Sequence, residues 1–434
     1  MNAGNFDSYS RWLQNNSSVR WKGRITHVLG NLVESAGPFC SVGESCEIIS
    51  NGERRAGEIV GFRGTHVLSM PLDTPQGIRF GDQIVTWGAR PSIRVGPELL
   101  GRVIDATGKP LDSLGEYRAR RVIPVDQAAP LPLERKVIDE SLGCGIRAID
   151  AFATCGRGQR IGIFGGSGVG KSTLLGMMAR GTEADLTVLA LVGERGREVA
   201  EFLNTLGEDG RRRSVVVVST SDQSPLLRIR AALSATAIAE YFCSQGKNVL
   251  LVVDSLTRFA MAQREVGLAA GEPPTAKGYT PSVLSMLARL VERAGRMANG
   301  SITAFYTVLM EGDDQQDPIV DTVRSLLDGH IVLDRNLSVR NHYPPISVLD
   351  SLSRLMPGIV SREHLEKAGH LRTLLAAYAK AEDLIRIGAY QQGTDPLLDR
   401  AVASLPAINK LLMQKPGDSS TQAATLAELM AIAG

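Results

Sequence analysis

Residues Gly165, Gly166, Ser167, Gly168, Val169, Gly170, Lys171 and Ser172 satisfy the pattern G-x-x-x-x-G-K-[ST] at every position. Glycines in such a run let the backbone wrap closely enough to aim its N–H groups at phosphate oxygens, and a helix N-terminus behind them favours negative charge. The lysine reaches the β- and γ-phosphates, and the serine hydroxyl is placed to ligate Mg²⁺. A nucleoside triphosphate with Mg²⁺ is the expected ligand. Two further residues extend that chemistry. Asp254 ends the apolar run Asn248–Val253, and a carboxylate at the tip of a sheet strand beside a phosphate loop can hold the Mg²⁺ shell. Glu194 follows the apolar run Thr187–Val192 on the same edge of the sheet. It could accept the proton of an attacking water, with Arg195 holding it in place. An equally good reading of Glu194 is a helix-start residue, where a negative charge is favourable anyway.

These residues need a frame to hold them. The runs Arg160–Phe164, Thr187–Val192, Ser214–Ser219, Asn248–Val253 and Ser301–Val308 are nearly continuous and apolar, as in strands buried on both faces. The helical stretches Ser172–Ala179, Leu226–Cys243 and Ser282–Met297 separate them, so an α/β core with a parallel sheet is expected. Ahead of it, Gly23–Val33, Glu44–Ile49, Gly57–Phe62, His66–Ser69 and Gln83–Thr86 alternate with glycine-bearing turns, a pattern for a small antiparallel barrel. Behind it, His364–Ile385, Pro396–Gln414 and Thr421–Ala433 have helical periodicity. The expected division is 1–22, a helical segment for assembly or partner binding (Phe6, Tyr9, Trp12 and Leu13 lie at helical spacing); 23–92, a β-barrel; 93–360, the nucleotide-binding domain with a linker over about 93–133; and 361–434, a helical domain.

Composition removes several function classes. Lys plus Arg is 48 and Asp plus Glu is 46, so a net charge of +2 gives no basic coat for nucleic acid. Aromatics at 5% are too few for a base-stacking platform. Five scattered cysteines without a C-x-x-C pair suggest neither a disulfide framework nor a zinc site. The opening MNAGNFDSYSRW has no basic stretch ahead of an apolar core, and apolar runs stay far short of the ~20 residues that span a bilayer. A cytosolic protein is expected.

The longer segments FGGSGVGKSTLLGMMAR, LVGERGREVAEF, VLLVVDSLTRFAMAQREVGLAAGEPP, KGYTPSVLSMLARLVERAG and SITAFYTVLMEGDDQQDPIVDTVRSLLDGHIVL resemble the ATPases of type III protein export, flagellar and injectisome, relatives of rotary ATP synthase subunits. The resemblance covers about residues 23–415. It implies an N-terminal β-barrel, a RecA-like core, a helical C-terminal domain and a homohexameric ring. ATP and Mg²⁺ would be the ligands. Export chaperones and their substrates, with the stalk and regulator proteins of the apparatus, would be the partners. The protein would be cytoplasmic and peripheral to the inner-membrane export gate, with no role for nucleic acid. By the same resemblance, Gly165–Thr173 is the phosphate loop, Thr173 included. Glu194 is the catalytic carboxylate and Asp254 the Walker B aspartate. Tyr343 stacks on adenine, and Arg354 is an arginine finger offered to the neighbouring subunit. Ser347 departs from the family, which usually carries an acidic or amide residue there. GDDQQDP looks flagellar and RNHYPP looks like injectisome members, so the subtype stays open.

Three other readings share the core. A rotary synthase subunit is disfavoured by GERGREV and EGDDQQDP, and an RNA translocase by low charge and few aromatics. A non-catalytic ring subunit is disfavoured by Glu194, which such subunits are expected to lack.

Overall fold

The computed structural model describes residues 19–310 and 317–433. Most of the segment 1–22 therefore lies outside the described residues, as does most of GDDQQDP. Six strands, β1 (Trp21–Leu29), β2 (Leu32–Ala36), β3 (Ser45–Ser50), β4 (Glu53–Arg63), β5 (His66–Pro71) and β6 (Gln83–Thr86), close into an antiparallel barrel in the order β1-β2-β5-β4-β3-β6. Alternation drives it: Ile25, Val33, Ile48, Ile59, Val67 and Ile84 point inward and fill the lumen. The run Gly23–Val33, expected as one strand, is two, folded back at Gly30–Asn31 so that Leu29 pairs with Leu32. The first strand also begins at Trp21, inside the segment expected to be helical.

The stretch expected as a linker carries structure of its own. β7 (Ser92–Val95) and β9 (Arg121–Pro124) form an antiparallel pair, and between them β8 (Val103–Asp105) departs to join the central sheet. A short pair, β10 (Ser141–Leu142) and β11 (Cys155–Gly156), then frames the helix Arg147–Phe152.

The central sheet adds β12 (Arg160–Gly165), β13 (Leu186–Glu194), β14 (Ser214–Thr220), β15 (Asn248–Asp254), β16 (Gly295–Arg296), β17 (Ser301–Leu309), β18 (Gly329–Leu333) and β19 (Ile346–Ser353). Its order is β19-β18-β12-β17-β15-β13-β14-β8, with β16 paired to β17. The long strands run parallel; β19 closes one edge antiparallel to β18. Helices Pro225–Ser244, Leu256–Ala270 and Pro281–Val291 cover one face, and helices Lys171–Gly181 and Gly196–Arg212 the other. Burial on both faces explains why the central strands read as unbroken apolar runs rather than alternating ones.

Helices Arg362–Arg386, Pro396–Leu412 and Gln422–Ala433 pack on the phosphate-loop side of the core through Leu371, Leu374, Leu398, Ile408, Leu411 and Leu429. Serine and aspartate caps start the first two: Ser361 accepts from the His364 N–H at 3.2 Å and Asp395 from the Leu397 N–H at 2.8 Å. The parallel register brings the C-terminal ends of β12, β17, β15 and β13 to one edge of the sheet, where such folds hold their ligands.

Candidate active site

The loop leaving β12 enters a helix that begins at Lys171. Gly170, the residue before it, has φ +105°, a left-handed conformation costly for any side chain, and Gly168 has φ +75°. Among the described residues no side chain caps this helix, whose first-turn N–H groups lie at the end where an anion would be received. The Lys171 Nζ curls back to donate to the Gly165 carbonyl at 3.2 Å. Burial lowers the Lys171 pKa, against the opposing pull of Asp254 and Glu194.

Asp254, the last residue of β15, is buried and accepts a hydrogen bond from the Thr307 hydroxyl on β17. Glu194, the last residue of β13, meets Lys171, Ser172, Asp254 and Arg258 in a cavity of about 360 Å³. The side chain of Glu194 is 16% exposed, and Arg258 Nε lies 3.3 Å from its Oε1. Arg258 also donates to the Gly193 carbonyl, which ties it to the end of the same strand. Arg195, expected to hold Glu194, does not: it stands at the start of helix Gly196–Arg212, 77% exposed, with Nη1 3.8 Å from Glu198 Oε1. β13 ends at Glu194 and Arg195 caps the following helix, so its side chain points out to solvent; the arginine that does the holding comes from another element. Burial pushes the Glu194 carboxyl up to about 8, with a hydrogen bond to Glu198 and the charge of Asp254 adding to it and Arg258 working against it. Sharing that proton holds Glu198 down. Arg258 and Glu198 were not anticipated. Glu198 lies four residues after Glu194, a spacing the sequence does show, whereas Arg258 meets Glu194 only through the sheet order.

Tyr343 is brought beside the phosphate loop, its Cε1 3.8 Å from where a Cβ on Gly170 would stand. It lines a groove of about 1010 Å³ together with Gly168, Gly170 and Thr173. Arg354 is elsewhere. Its N–H donates to the Asp328 carbonyl, and the Asp328 N–H donates to that of Arg160, so Arg354 stands abreast of the first residue of β12. The phosphate loop begins at the other end of that strand. Arg354 is exposed at the open edge of the sheet, next to the exposed Leu352 of β19. Ser347 bonds locally, donating its hydroxyl to Asp350 at 2.6 Å.

Ser172 and Asp254 are hard oxygen donors lining the same cavity as Lys171. A hydroxyl and a carboxylate beside a phosphate cradle suit Mg²⁺, which keeps several waters and takes one or two carboxylates plus substrate phosphates.

Residues 145–353 match the ATP synthase alpha/beta family, nucleotide-binding domain, residues 25–88 the beta-barrel domain of that family, and residues 360–431 the T3SS EscN ATPase C-terminal domain. The chain is 48% identical over 434 residues to a flagellum-specific ATP synthase of Bacillus subtilis, covering 99% of this chain and 96% of the relative. It is 48% identical over 402 residues to a type 3 secretion system ATPase of Sinorhizobium fredii, covering 92% and 89%. Among solved structures it resembles the assembled ATPase EscN from the type III secretion system of enteropathogenic E. coli, with TM-score 0.90 and 45% identity over 95% of this chain and all of that one. The same ATPase in complex with its central stalk EscO matches with TM-score 0.88 and 44% identity, at the same coverage.

Proposed function

The chain belongs to the ATP synthase alpha/beta family, in its type III export branch, and we propose that it hydrolyses ATP·Mg²⁺ at the interfaces of a homohexameric ring to energise that export. One observation carries the site assignment: the strand ends gather Lys171, Ser172, Glu194 and Asp254 into one cavity. The EscN-type C-terminal match over residues 360–431 favours export over rotary synthesis.

In this reading the uncapped helix start and Lys171 hold the β- and γ-phosphates, and Tyr343 lies against the base. Ser172 and Asp254 would hold Mg²⁺, which supplies charge neutralisation to the phosphates when bound. Glu194 takes the proton of the attacking water; a carboxyl pushed up toward neutrality is matched to that task. Arg258 keeps it oriented. Arg354 serves the next subunit, since its place just past the end of β19 puts it far from its own phosphate loop. The relative solved in complex with its central stalk EscO supports a stalk protein in the centre of the ring. No helix among the described residues is long and apolar enough to cross a membrane, which fits a cytoplasmic ring docked peripherally at an export gate, where chaperones release substrates for unfolding.

Lys171→Ala tests the site directly. Removing the point charge on the phosphates should abolish phosphate release and weaken ATP binding. Turnover equal to the parent's would remove the assignment.

A further inference from the structure

The base end of the nucleotide groove is built from a part of the chain remote from the phosphate loop. Residues 413–421 connect helices Pro396–Leu412 and Gln422–Ala433, and Met413, Lys415 and Pro416 in this strap line the same groove as Tyr343 and Gly170. This strap is fastened to the core at three points. Arg147, opening the helix that β10 and β11 frame, donates to the Met413 carbonyl. Arg180, in the last turn of the phosphate-loop helix, donates to the Pro416 carbonyl.

Gln414 supplies the rest. It is only 3% exposed. Its Nε2 donates to the Gly145 carbonyl at 2.9 Å and to the Asp418 carbonyl at 3.3 Å, and its Oε1 accepts from the Arg147 N–H at 3.1 Å. Its main-chain N–H donates to the Tyr343 carbonyl at 2.7 Å. Both ends of the amide are therefore used, and a buried amide that loses them is left unsatisfied. The anchor on the core side is itself fixed. Gly145 has φ +74°, and a Cβ there would meet the backbone of Gly181, in the phosphate-loop helix, at 2.7 Å.

We propose that Gln414 is a positioning residue for the nucleobase, locking Tyr343 and the strap together so that the C-terminal helices complete the base end of the groove. The proposal rests on the nucleotide reading given above. It separates two halves of one ligand: the triphosphate is held by the loop, and the base by a joint that includes the C-terminal domain. A displacement of those helices would reach the base before the phosphates, and by reciprocity the base would bias their position.

Dissociation constants of the full-length protein for ATP and for inorganic tripolyphosphate, both with Mg²⁺, test this. Gln414→Glu puts an oxygen where Nε2 faced two carbonyl oxygens; Gln414→Asn keeps the amide and withdraws it by one methylene. The Glu variant should bind ATP about tenfold or more weakly, with tripolyphosphate affinity held within about twofold, and the Asn variant should fall between it and the parent. Tyr343→Ala should show the same selective loss. Unchanged ATP affinity in both Gln414 variants overturns the proposal, and so does a parallel loss of both ligands, which marks a residue needed only for folding. Lys171→Ala should weaken both ligands; if it weakens neither, the nucleotide reading falls and this proposal with it.

Discussion

Placement of Arg354 makes the sharpest demand on the ring. Arg354 stands abreast of Arg160, and the phosphate loop starts five residues along the same strand at Gly165. At roughly 3.3 Å per residue the separation along the strand is about 17 Å, beyond the reach of an arginine side chain. A finger just past the end of β19 can therefore serve only a neighbour. Arg354→Ala alone should lose about 10³–10⁵ in turnover, and Glu194→Gln alone about 10²–10⁴. Mixed rings behave differently. An interface is intact when one subunit contributes Glu194 and the next contributes Arg354. At equal mixing each condition is met half the time, so about one quarter of interfaces in a cyclic ring are restored. Phosphate release measured across a titration of one variant into the other should rise from near zero, peak at the equal mixture and fall again. Co-assembly is checked by native mass with distinguishable tags. A finger acting in cis leaves every subunit with one defect at every ratio. A flat profile in rings shown to be mixed would therefore refute the reasoning.

Two other outcomes follow from charges inside the fold. Arg258 works against the rise in the Glu194 pKa, so Arg258→Gln should lift that pKa further and move the acidic limb of kcat/KM upward by about one pH unit or more; a pH profile with an unmoved limb would contradict the pairing. Asp150 is fully buried and accepts from the Cys144 N–H at 2.8 Å and the Gly145 N–H at 3.1 Å, yet burial lifts its carboxyl to about 7. A raised acid favours the protonated fold: its stability is fully present below the ordinary carboxylate pKa and is lost as pH rises through about 7. The difference amounts to about 4 kcal/mol at most. Denaturant midpoints should fall between about pH 4 and 7 in the parent, and Asp150→Asn should flatten that fall; parallel slopes would refute it.

How far the sequence could be read depended on how local each signal was. The phosphate loop is eight consecutive residues whose types state their purpose, and Asp254 closes an apolar run, so both are visible without any partner. Glu194 is visible as a position, but its support is not: Arg258 is 64 residues further on, and only the adjacency of β13 and β15 brings the two together. Neighbouring Arg195 is the natural guess from sequence, and the strand-to-helix turn sends it away. The barrel was legible from alternation, yet the hairpin at Gly30 was not, because two strands joined by a two-residue turn preserve one continuous apolar pattern. β18 is only five residues long, and β19 mixes buried and exposed residues along its length, so neither stands out as a long apolar run, although they form the edge beside which Arg354 stands.

β8 is shorter still, and its three residues decide where this polypeptide can be divided. Val103, Ile104 and Asp105 pair with Val216, Val217 and Val218, and the Gly101 N–H and Arg102 carbonyl continue the ladder to Ser214 and Val216. The segment expected to tether one module to another is thus the selvedge of the second module's fabric. A fragment trimmed to begin at the phosphate-binding half, after residue 134, would leave β14 with a bare row of N–H and C=O groups flanked by valines. Such an edge recruits strands from other molecules. The residues from β7 onward accordingly belong with the catalytic core, and protein engineers seeking a minimal core should cut ahead of Ser92, which keeps both the β7–β9 pair and β8.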